Sequence, residues 1–132
     1  MNRPDKDSYF FNIAEVVASR STCLRRQYGA IIVKDGVIKS TGYNGSPRNA
    51  DNCSDIGECW RMKHNIPHGE RYEMCQAVHA EANAIINAAP ADMNGATLYL
   101  VGLEDGKRVE GVKPCALCEK LIRNAQIRRV ES

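Results

Sequence analysis

The sequence lacks the features of membrane, secreted and disordered proteins. Its longest apolar runs are about five residues, whereas a membrane-spanning helix needs about 20. The first residues contain no apolar segment of the kind found in a secretory signal, so we expect a cytoplasmic protein with no membrane partner. With 43% hydrophobic and 26% charged residues, the chain is too apolar to be disordered.

An excess of positive charge and an abundance of aromatic residues, which are typical of nucleic-acid binding, are also missing. The net charge is only +2, and aromatic residues make up 6% of the chain. A basic channel lined with stacking aromatics is therefore not indicated, and we expect no nucleic-acid partner. Trp60, the one tryptophan, falls in an irregular segment, where it is more typical of a loop-anchoring core residue than of a platform for a base.

No internal repeat, low-complexity tract or linker divides the chain of 132 residues, so we expect one domain covering 1–132. Asp35-Gly36 between two β-prone runs predicts a hairpin. Apolar periodicity predicts helices over about 5–20, 77–89 and 115–125, and strands over 29–34, 37–41, 96–101 and 127–131; a short helix can form around 57–65. Strands separated by helices favour an α/β fold, in which helices cover both faces of a sheet with parallel members.

Six cysteines in a chain without an export signal indicate metal binding or chemistry rather than disulfides. Two motifs, His79-Ala80-Glu81 and Pro114-Cys115-Ala116-Leu117-Cys118, stand at predicted helix starts. A catalytic zinc site uses three protein ligands and keeps one position for water. One imidazole and two thiolates supply those three ligands, so we predict that His79, Cys115 and Cys118 bind a catalytic Zn²⁺.

Glu81 is predicted to move protons rather than to bind the metal. Residues two apart on a helix point about 200° away from each other, so His79 and Glu81 converge only if His79 lies at the helix entry. A carboxylate beside metal-activated water is a proton shuttle. Alone, the Cys-x-x-Cys pair is more typical of a structural zinc half-site or a redox pair, and it is the combination of both motifs that indicates catalysis.

Together the motifs form H-x-E…P-C-x-x-C, a signature of zinc deaminases. The sequence resembles the cytidine deaminase superfamily, and within it the deoxycytidylate (dCMP) deaminase family rather than the tRNA adenosine deaminases. Three more stretches carry this resemblance: Ser21-Thr22-Cys23 leading into 29–33, Thr41-Gly42-Tyr43-Asn44-Gly45-Ser46-Pro47, and 77–85. The resemblance covers about 8–101 and 114–130. It implies a three-layer α/β/α sandwich around a mixed sheet of about five strands, and the fifth strand is sought in 103–113.

The reaction that the resemblance implies is hydrolytic deamination of dCMP to dUMP, the precursor for thymidylate synthesis. Water activated by zinc attacks C4 of the cytosine ring, while Glu81 carries protons from the water to N3 and to the departing ammonia. The main-chain groups of Ala80 and Cys115 are implied to line the base pocket. Asn44 matches a family residue that hydrogen-bonds the sugar; without the resemblance it is equally typical of a turn.

A nucleotide substrate needs a partner for its phosphate. Arg25, Arg26 and Arg48 lie near the pocket-forming loops, and we expect Arg26 and Arg48 to be the first candidates. Each is otherwise typical of a solvated surface arginine. The resemblance also implies a homo-oligomer, a hexamer or a dimer, that is activated by dCTP and inhibited by dTTP through the loop 42–47.

Four cysteines remain, namely Cys23, Cys53, Cys59 and Cys75. Some dCMP deaminases hold a second, structural zinc, and Cys23 and Cys53 match positions of that kind. We expect a four-cysteine site that tethers the irregular segment 42–73, with His64 or His68 as an alternative ligand. Otherwise these cysteines are buried free thiols.

The segment 103–113 departs from the family pattern, in which the strand commonly runs straight into Pro-Cys-x-x-Cys. An extra hairpin or loop there places the substrate in doubt more than the chemistry. The alternative functions are deamination of another base, of a nucleoside or of a base within nucleic acid, and a non-catalytic, zinc-stabilised regulatory or assembly module. Glu81 argues against the last, because a structural zinc site needs no such carboxylate.

Overall fold

The computed structural model describes residues 2–52, 54, 57, 59–65 and 77–132. Over these residues the helices are α1 (Lys6–Ala18), α2 (Trp60–Lys63), α3 (Ala80–Ile86), α4 (Pro90–Met93) and α5 (Ala116–Asn124). The strands are β1 (Gln27–Lys34), β2 (Val37–Tyr43), β3 (Thr97–Glu104), β4 (Lys107–Arg108) and β5 (Arg129–Glu131). No helix in this described part of the chain is both long enough and apolar enough to cross a bilayer.

The five strands form one mixed sheet. β1 lies between β2 and β3 and pairs antiparallel with both. The other edge of β3 is shared, because β4 pairs antiparallel with its last two residues while β5 pairs parallel with Thr97–Tyr99. The predicted mixed sheet of about five strands is therefore confirmed, and its fifth strand, β4, lies in 103–113 as expected.

Successive side chains of β1 and β3 point to opposite faces of the sheet, which divides the core into two layers. Ala30, Ile32, Leu98 and Leu100 face a cluster that contains residues of α3 and α5. Ile31, Val33, Tyr99 and Val101 face the other way and pack against α1. Successive strand residues point to opposite faces, so a sheet covered on both sides must be apolar at nearly every position. The three-layer α/β/α sandwich is confirmed.

Two glycines allow helices to touch the sheet backbone. A Cβ on Gly29 would lie 2.3 Å from the carbonyl oxygen of Ala14 in α1. A Cβ on Gly42 would lie 2.3 Å from the amide nitrogen of Ala84 and 2.6 Å from the carbonyl oxygen of Ala80, both in α3. The two glycines stand on adjacent strands and face opposite layers, so each helix layer is set at a distance that only glycine permits.

Helix α3 also covers the free edge of β2 with two side chains one turn apart. Asn83 Nδ2 donates to the carbonyl oxygen of Tyr43 at 2.8 Å, and Asn87 Nδ2 donates to that of Thr41 at 2.9 Å. These carbonyls face away from β1, where a further strand would supply N–H donors. The backbone acceptors at this end of the sheet are therefore satisfied within the chain.

The predicted helix over 77–89 is shorter in the structure. Val78 is extended and exchanges two backbone hydrogen bonds with Gly45, so α3 begins only at Ala80. Pro90, the residue after the predicted helix, lies in the first turn of α4, where its missing N–H is not needed. The expectation was wrong because tertiary pairing at Val78 outweighs the helix propensity of the alanines.

The contact at Gly29 makes a direct prediction. Gly29→Ala should lower the free energy of unfolding by about 3 kcal/mol or more, because the new methyl group overlaps backbone atoms of α1 that cannot move independently. Denaturant titration measures this loss. Gly95→Ala is the matched control: its methyl group meets open space, and it costs only the left-handed backbone conformation, about 1–2 kcal/mol. Equal losses in the two variants would contradict the close-contact argument.

Candidate active site

The candidate metal ligands stand at the starts of two helices. His79 is the N-cap of α3 and Cys115 is the N-cap of α5, and both have extended backbones. Neither side chain forms a hydrogen bond that caps its own helix. Cys118 lies in the first turn of α5 and is 1% exposed. Helix N-termini carry free N–H groups and a positive dipole end, which favour thiolates at this position.

These three side chains converge on one point. His79 Nδ1 lies 3.5 Å from Cys115 Sγ and 3.3 Å from Cys118 Sγ, and the three atoms lie within 4.8 Å of one another. Zinc binds sulfur at about 2.3 Å and imidazole nitrogen at about 2.0 Å, so a tetrahedral ion holds such atoms about 3.5 Å apart. The donor set and its spacing therefore fit zinc, with one position left for water or substrate.

Contacts between α3 and β2 hold His79 in place. The buried Ser40 hydroxyl donates to the carbonyl oxygen of Ala84 at 2.7 Å. The backbone pair between Gly45 and Val78 fixes the residue just before His79. With the close approach at Gly42, these contacts set the depth and direction at which α3 begins. They also place Ala80 at the start of the helix, fully buried between His79 and Glu81.

Glu81 is buried beside the ligands, at 5% exposure, in the first turn of α3. Burial raises the pKa of its carboxyl group, while hydrogen bonds from its own backbone and from Cys118 partly offset that rise. Because His79 lies at the helix entry, the imidazole and this carboxylate can face one site, as the sequence analysis required. A buried acid with a raised pKa has the properties of a group that accepts and returns a proton.

The site brings together three acidic groups, the thiols of Cys115 and Cys118 and the carboxyl group of Glu81. Burial raises the pKa of the Cys118 thiol far above its usual value, and the nearby Glu81 and Cys115 raise it further. Such a group of acids is costly to ionise without a cation. A divalent ion compensates two thiolates, so the electrostatics as well as the spacing favour metal binding.

Asn44 is buried in the segment that leads to Gly45. Its Oδ1 accepts from the backbone N–H of Tyr28 at 2.7 Å, and its Nδ2 donates to the carbonyl oxygen of Arg26 at 2.8 Å. Its own carbonyl accepts from the hydroxyl of Ser21 at 2.7 Å. Asn44 thus fixes the entry to β1 next to the metal ligands, and one N–H of its amide remains for a ligand.

The candidate phosphate-binding arginines lie in different places. Arg26 precedes β1, and its guanidinium contacts Glu104 and the Tyr28 hydroxyl. Arg48 is exposed and donates to Asn87 Oδ1 at 3.0 Å. Asn87 ends α3, about 12 Å along the helix from His79. Arg25 is half-buried.

The proposed second zinc site lies only partly within the described residues. Cys59 is buried, at 4% exposure, and Cys23 is half-buried. Cys53, Cys75 and His68 lie outside the described residues, as does the side chain of Trp60, while His64 is exposed. The cluster of His79, Cys115 and Cys118 is the one group of three or more metal-binding side chains found among the described residues.

Sequence reasoning did not find Tyr28 and Glu104, the side chains around Arg26. Spacing along one strand could have placed Arg26 and Tyr28 on one face. Glu104 required the register between β1 and β3, in which Tyr28 pairs with Gly102. A single sequence does not contain that register.

Known proteins resemble this chain over nearly its whole length. Residues 4–131 match the family model described as the cytidine and deoxycytidylate deaminase zinc-binding region. A deoxycytidylate deaminase of Mycobacterium phage D29 is 40% identical and is covered over 95% of its length by 98% of this chain. A deoxycytidylate deaminase of Schizosaccharomyces pombe is 35% identical over 97% of this chain, which spans 37% of that longer protein.

Solved structures agree with these matches. The dCMP deaminase of cyanophage S-TIM5 is 26% identical with a TM-score of 0.66, and the match covers 98% of this chain and 82% of that one. That enzyme has also been solved in complex with dCMP and dUMP. RibD of Acinetobacter baumannii, 22% identical with a TM-score of 0.56, shares the fold over 95% of this chain and 27% of its own. On the family model and the phage relative, this chain belongs to the cytidine and deoxycytidylate deaminase family of zinc-binding proteins.

Proposed function

We propose that the chain is a zinc-dependent deaminase that hydrolyses dCMP to dUMP and ammonia, and that residues 1–132 form one domain. The main support for this activity is the convergence of His79, Cys115 and Cys118 beside the buried carboxylate of Glu81. Support for the substrate comes from the phage relative named deoxycytidylate deaminase, which this chain covers over 95% of its length. The cyanophage enzyme solved with dCMP and dUMP adds to it.

His79, Cys115 and Cys118 hold the metal, which when bound acts as a Lewis acid and lowers the pKa of a coordinated water molecule. Glu81 accepts the proton of the attacking water and delivers a proton to N3 of the base. It then accepts the proton of the hydroxyl group formed at C4 and passes it to the amino group, which leaves as ammonia while C4 becomes a carbonyl. Because Glu81 is only 5% exposed, solvent has little access to the proton that it carries between steps.

The nucleotide is proposed to bind across the starts of α3, α5 and β1. Main-chain groups of Ala80 and Cys115 border the base, and the remaining amide N–H of Asn44 donates to the sugar. Arg26 is the main candidate for the phosphate, because Asn44 joins its carbonyl to the segment before His79. Arg48 is a second candidate, held farther away at the end of α3.

A panel of substrates tests this function against its alternatives. Zinc-loaded enzyme should release ammonia from dCMP with a kcat/KM far above that for deoxycytidine, because the phosphate adds a charged contact. CMP, dCTP and guanine complete the panel, read by ammonia release and ring absorbance. A preference for deoxycytidine or guanine would favour another base or nucleoside, and no turnover of any compound would favour the zinc-stabilised module.

Glu81→Gln separates catalysis from a structural role. The variant should lose about 10²-fold to 10⁴-fold in kcat, since the amide cannot transfer the proton. Zinc content and thermal unfolding should stay close to wild type, because the amide keeps the size of the carboxylate. Glu119→Gln, an exposed change in the first turn of α5, is the matched control and should retain activity. Full activity in Glu81→Gln would refute the assigned role.

We also propose a second, structural zinc bound by Cys23, Cys53, Cys59 and Cys75. The backbone of Ser54 donates to the carbonyl oxygen of Thr22 at 3.2 Å, and the Thr22 hydroxyl donates to Asn52 Oδ1 at 3.2 Å. The residues on either side of Cys53 in sequence therefore contact the residue before Cys23, which supports a shared site. The buried position of Cys59 suits a closed site without water.

Metal analysis counts the two sites separately. Wild-type protein should hold two zinc ions per chain, while Cys53→Ser and Cys118→Ser should each hold one, because each removes a ligand of a different site. Leu117→Ser, which places the same hydroxyl on an exposed neighbour of Cys118, should keep both ions. If wild type holds one zinc ion per chain and Cys53→Ser holds the same number, the second site is refuted.

Cytoplasmic location and assembly into a hexamer or dimer remain proposals, as does control by dCTP and dTTP through the loop 42–47. Assembly is supported by three apolar side chains on the outer surfaces of α3 and α5. Ile86 is 68% exposed, Leu117 is 63% exposed and Leu121 is 37% exposed. Large apolar side chains left in water on two helices of one layer are typical of surfaces that a second subunit covers.

A further inference from the structure

Arg26 lies at the end of the sheet where the metal ligands also lie. Gly42, which contacts the first residue of α3, pairs with Ala30, and Ala30 pairs with Leu100. Tyr28 stands two residues earlier on β1, about 7 Å along the strand, on the same face. Its ring packs against the cluster that contains Ala80. This face of the strand therefore leads from the metal centre toward Arg26.

Two side chains determine where the Arg26 guanidinium points. Its Nε donates to Glu104 Oε2 at 3.3 Å, and its Nη1 donates to the Tyr28 hydroxyl at 3.3 Å. The hydrogen bond with Tyr28 is the main cause of a raised pKa at Arg26, so this contact favours the charged form. These bonds come from two different strands, which leaves the side chain little freedom to rotate.

Tyr28 and Glu104, the two partners of Arg26, are fixed in position by their own surroundings. The Tyr28 ring lies against Gly102, where a Cβ would come within 2.9 Å of it, so the ring fits because Gly102 has no side chain. Glu104 ends β3 and pairs with Lys107 of β4. The hairpin is fixed to α1 because Arg108 donates to Glu15 at 2.6 Å and to Asn12 at 2.7 Å. The segment 103–113 therefore fixes the position of Glu104, because its hairpin is bound to α1.

The remaining donors of Arg26 suit an anion. A guanidinium has five N–H groups in one plane, and the contacts to Glu104 and Tyr28 use one on Nε and one on Nη1. Both N–H groups of Nη2 and one N–H of Nη1 take no part in these two bonds. Two parallel donors on one edge match two oxygens of a phosphate.

We propose that Tyr28 and Glu104 are positioning residues that fix the Arg26 guanidinium so that its remaining N–H groups bind the phosphate of the substrate. This inference rests on the proposed function, because it assumes a nucleotide substrate. It assigns the segment 103–113 a part in specificity: the insertion supplies the carboxylate that orients the arginine. Tyr28 and Glu104 need not touch the substrate.

The test compares kcat/KM for dCMP with kcat/KM for deoxycytidine, which lacks the phosphate. Tyr28→Phe removes one hydroxyl and should lower this ratio roughly threefold to tenfold, the effect of one hydrogen bond to a charged group, mainly through a higher KM for dCMP. Arg26→Ala should lower it further. Tyr99→Phe, the same change on the opposite face of the sheet, should leave the ratio and the activity unchanged.

A double-mutant cycle isolates the positioning role. Adding Tyr28→Phe to Arg26→Ala should not change the ratio again, because the hydroxyl acts only through the guanidinium. Glu104→Ala should lower the ratio in the same way, and Glu104→Gln, which keeps an oxygen acceptor, should restore much of it. Thermal unfolding of each variant confirms that the fold is intact.

Four outcomes would overturn the proposal. Equal losses on dCMP and deoxycytidine in Tyr28→Phe would show a merely structural role. A higher ratio in Glu104→Ala would show that the carboxylate competes with the phosphate instead of positioning the arginine. An unchanged ratio in Arg26→Ala, with wild type still active on dCMP, would refute phosphate binding by Arg26 while the proposed function stands. Wild type inactive on both substrates would refute the proposed function as well.

Discussion

The contact between the backbone of α3 and strand β2 at Gly42 is the constraint on which the site depends. At this position the helix lies so close that any Cβ would overlap Ala80 and Ala84. Because α3 cannot move outward or inward, the residue that precedes it, His79, and the residue after Ala80, Glu81, have fixed positions relative to the sheet. The chemistry of the site is thus set by the absence of a side chain on a neighbouring strand.

The same arrangement explains how the fold accommodates a cluster of acids. Two helix starts face each other, and their free N–H groups and dipoles are the favourable surroundings for thiolates and a carboxylate. Even so, burial disfavours the charged forms of Cys118 and Glu81. A cation resolves this conflict by making ionised ligands the stable state. The binding of the metal and the acidity of the site are therefore one property rather than two.

Much of the fold and of the candidate site could be predicted from the sequence. The predictions that were wrong or absent have physical reasons. The hairpin at Asp35-Gly36, the helix over about 5–20 and the three ligands depend on local patterns, which a single chain displays. The start of α3 was misplaced because Val78 pairs with Gly45, a contact between distant segments. The surroundings of Arg26 were missed for a similar reason, since Glu104 meets it only through the register of β1 and β3. Sequence patterns reveal periodicity and motifs. The register of paired strands and the distance of a helix from the sheet are instead set by packing between distant segments.

The two asparagines of α3 have a consequence for the behaviour of the chain in concentrated solution. An uncovered edge strand offers a row of acceptors and donors that invites other strands, which is a common route to domain exchange and fibrous aggregation. Asn83 and Asn87 occupy two acceptors of β2, at Tyr43 and Thr41. The helix that carries Glu81, together with its C-cap residue Asn87, thus also blocks strand addition at this edge. The geometry of the candidate site and the protection against aggregation therefore depend on the same helix.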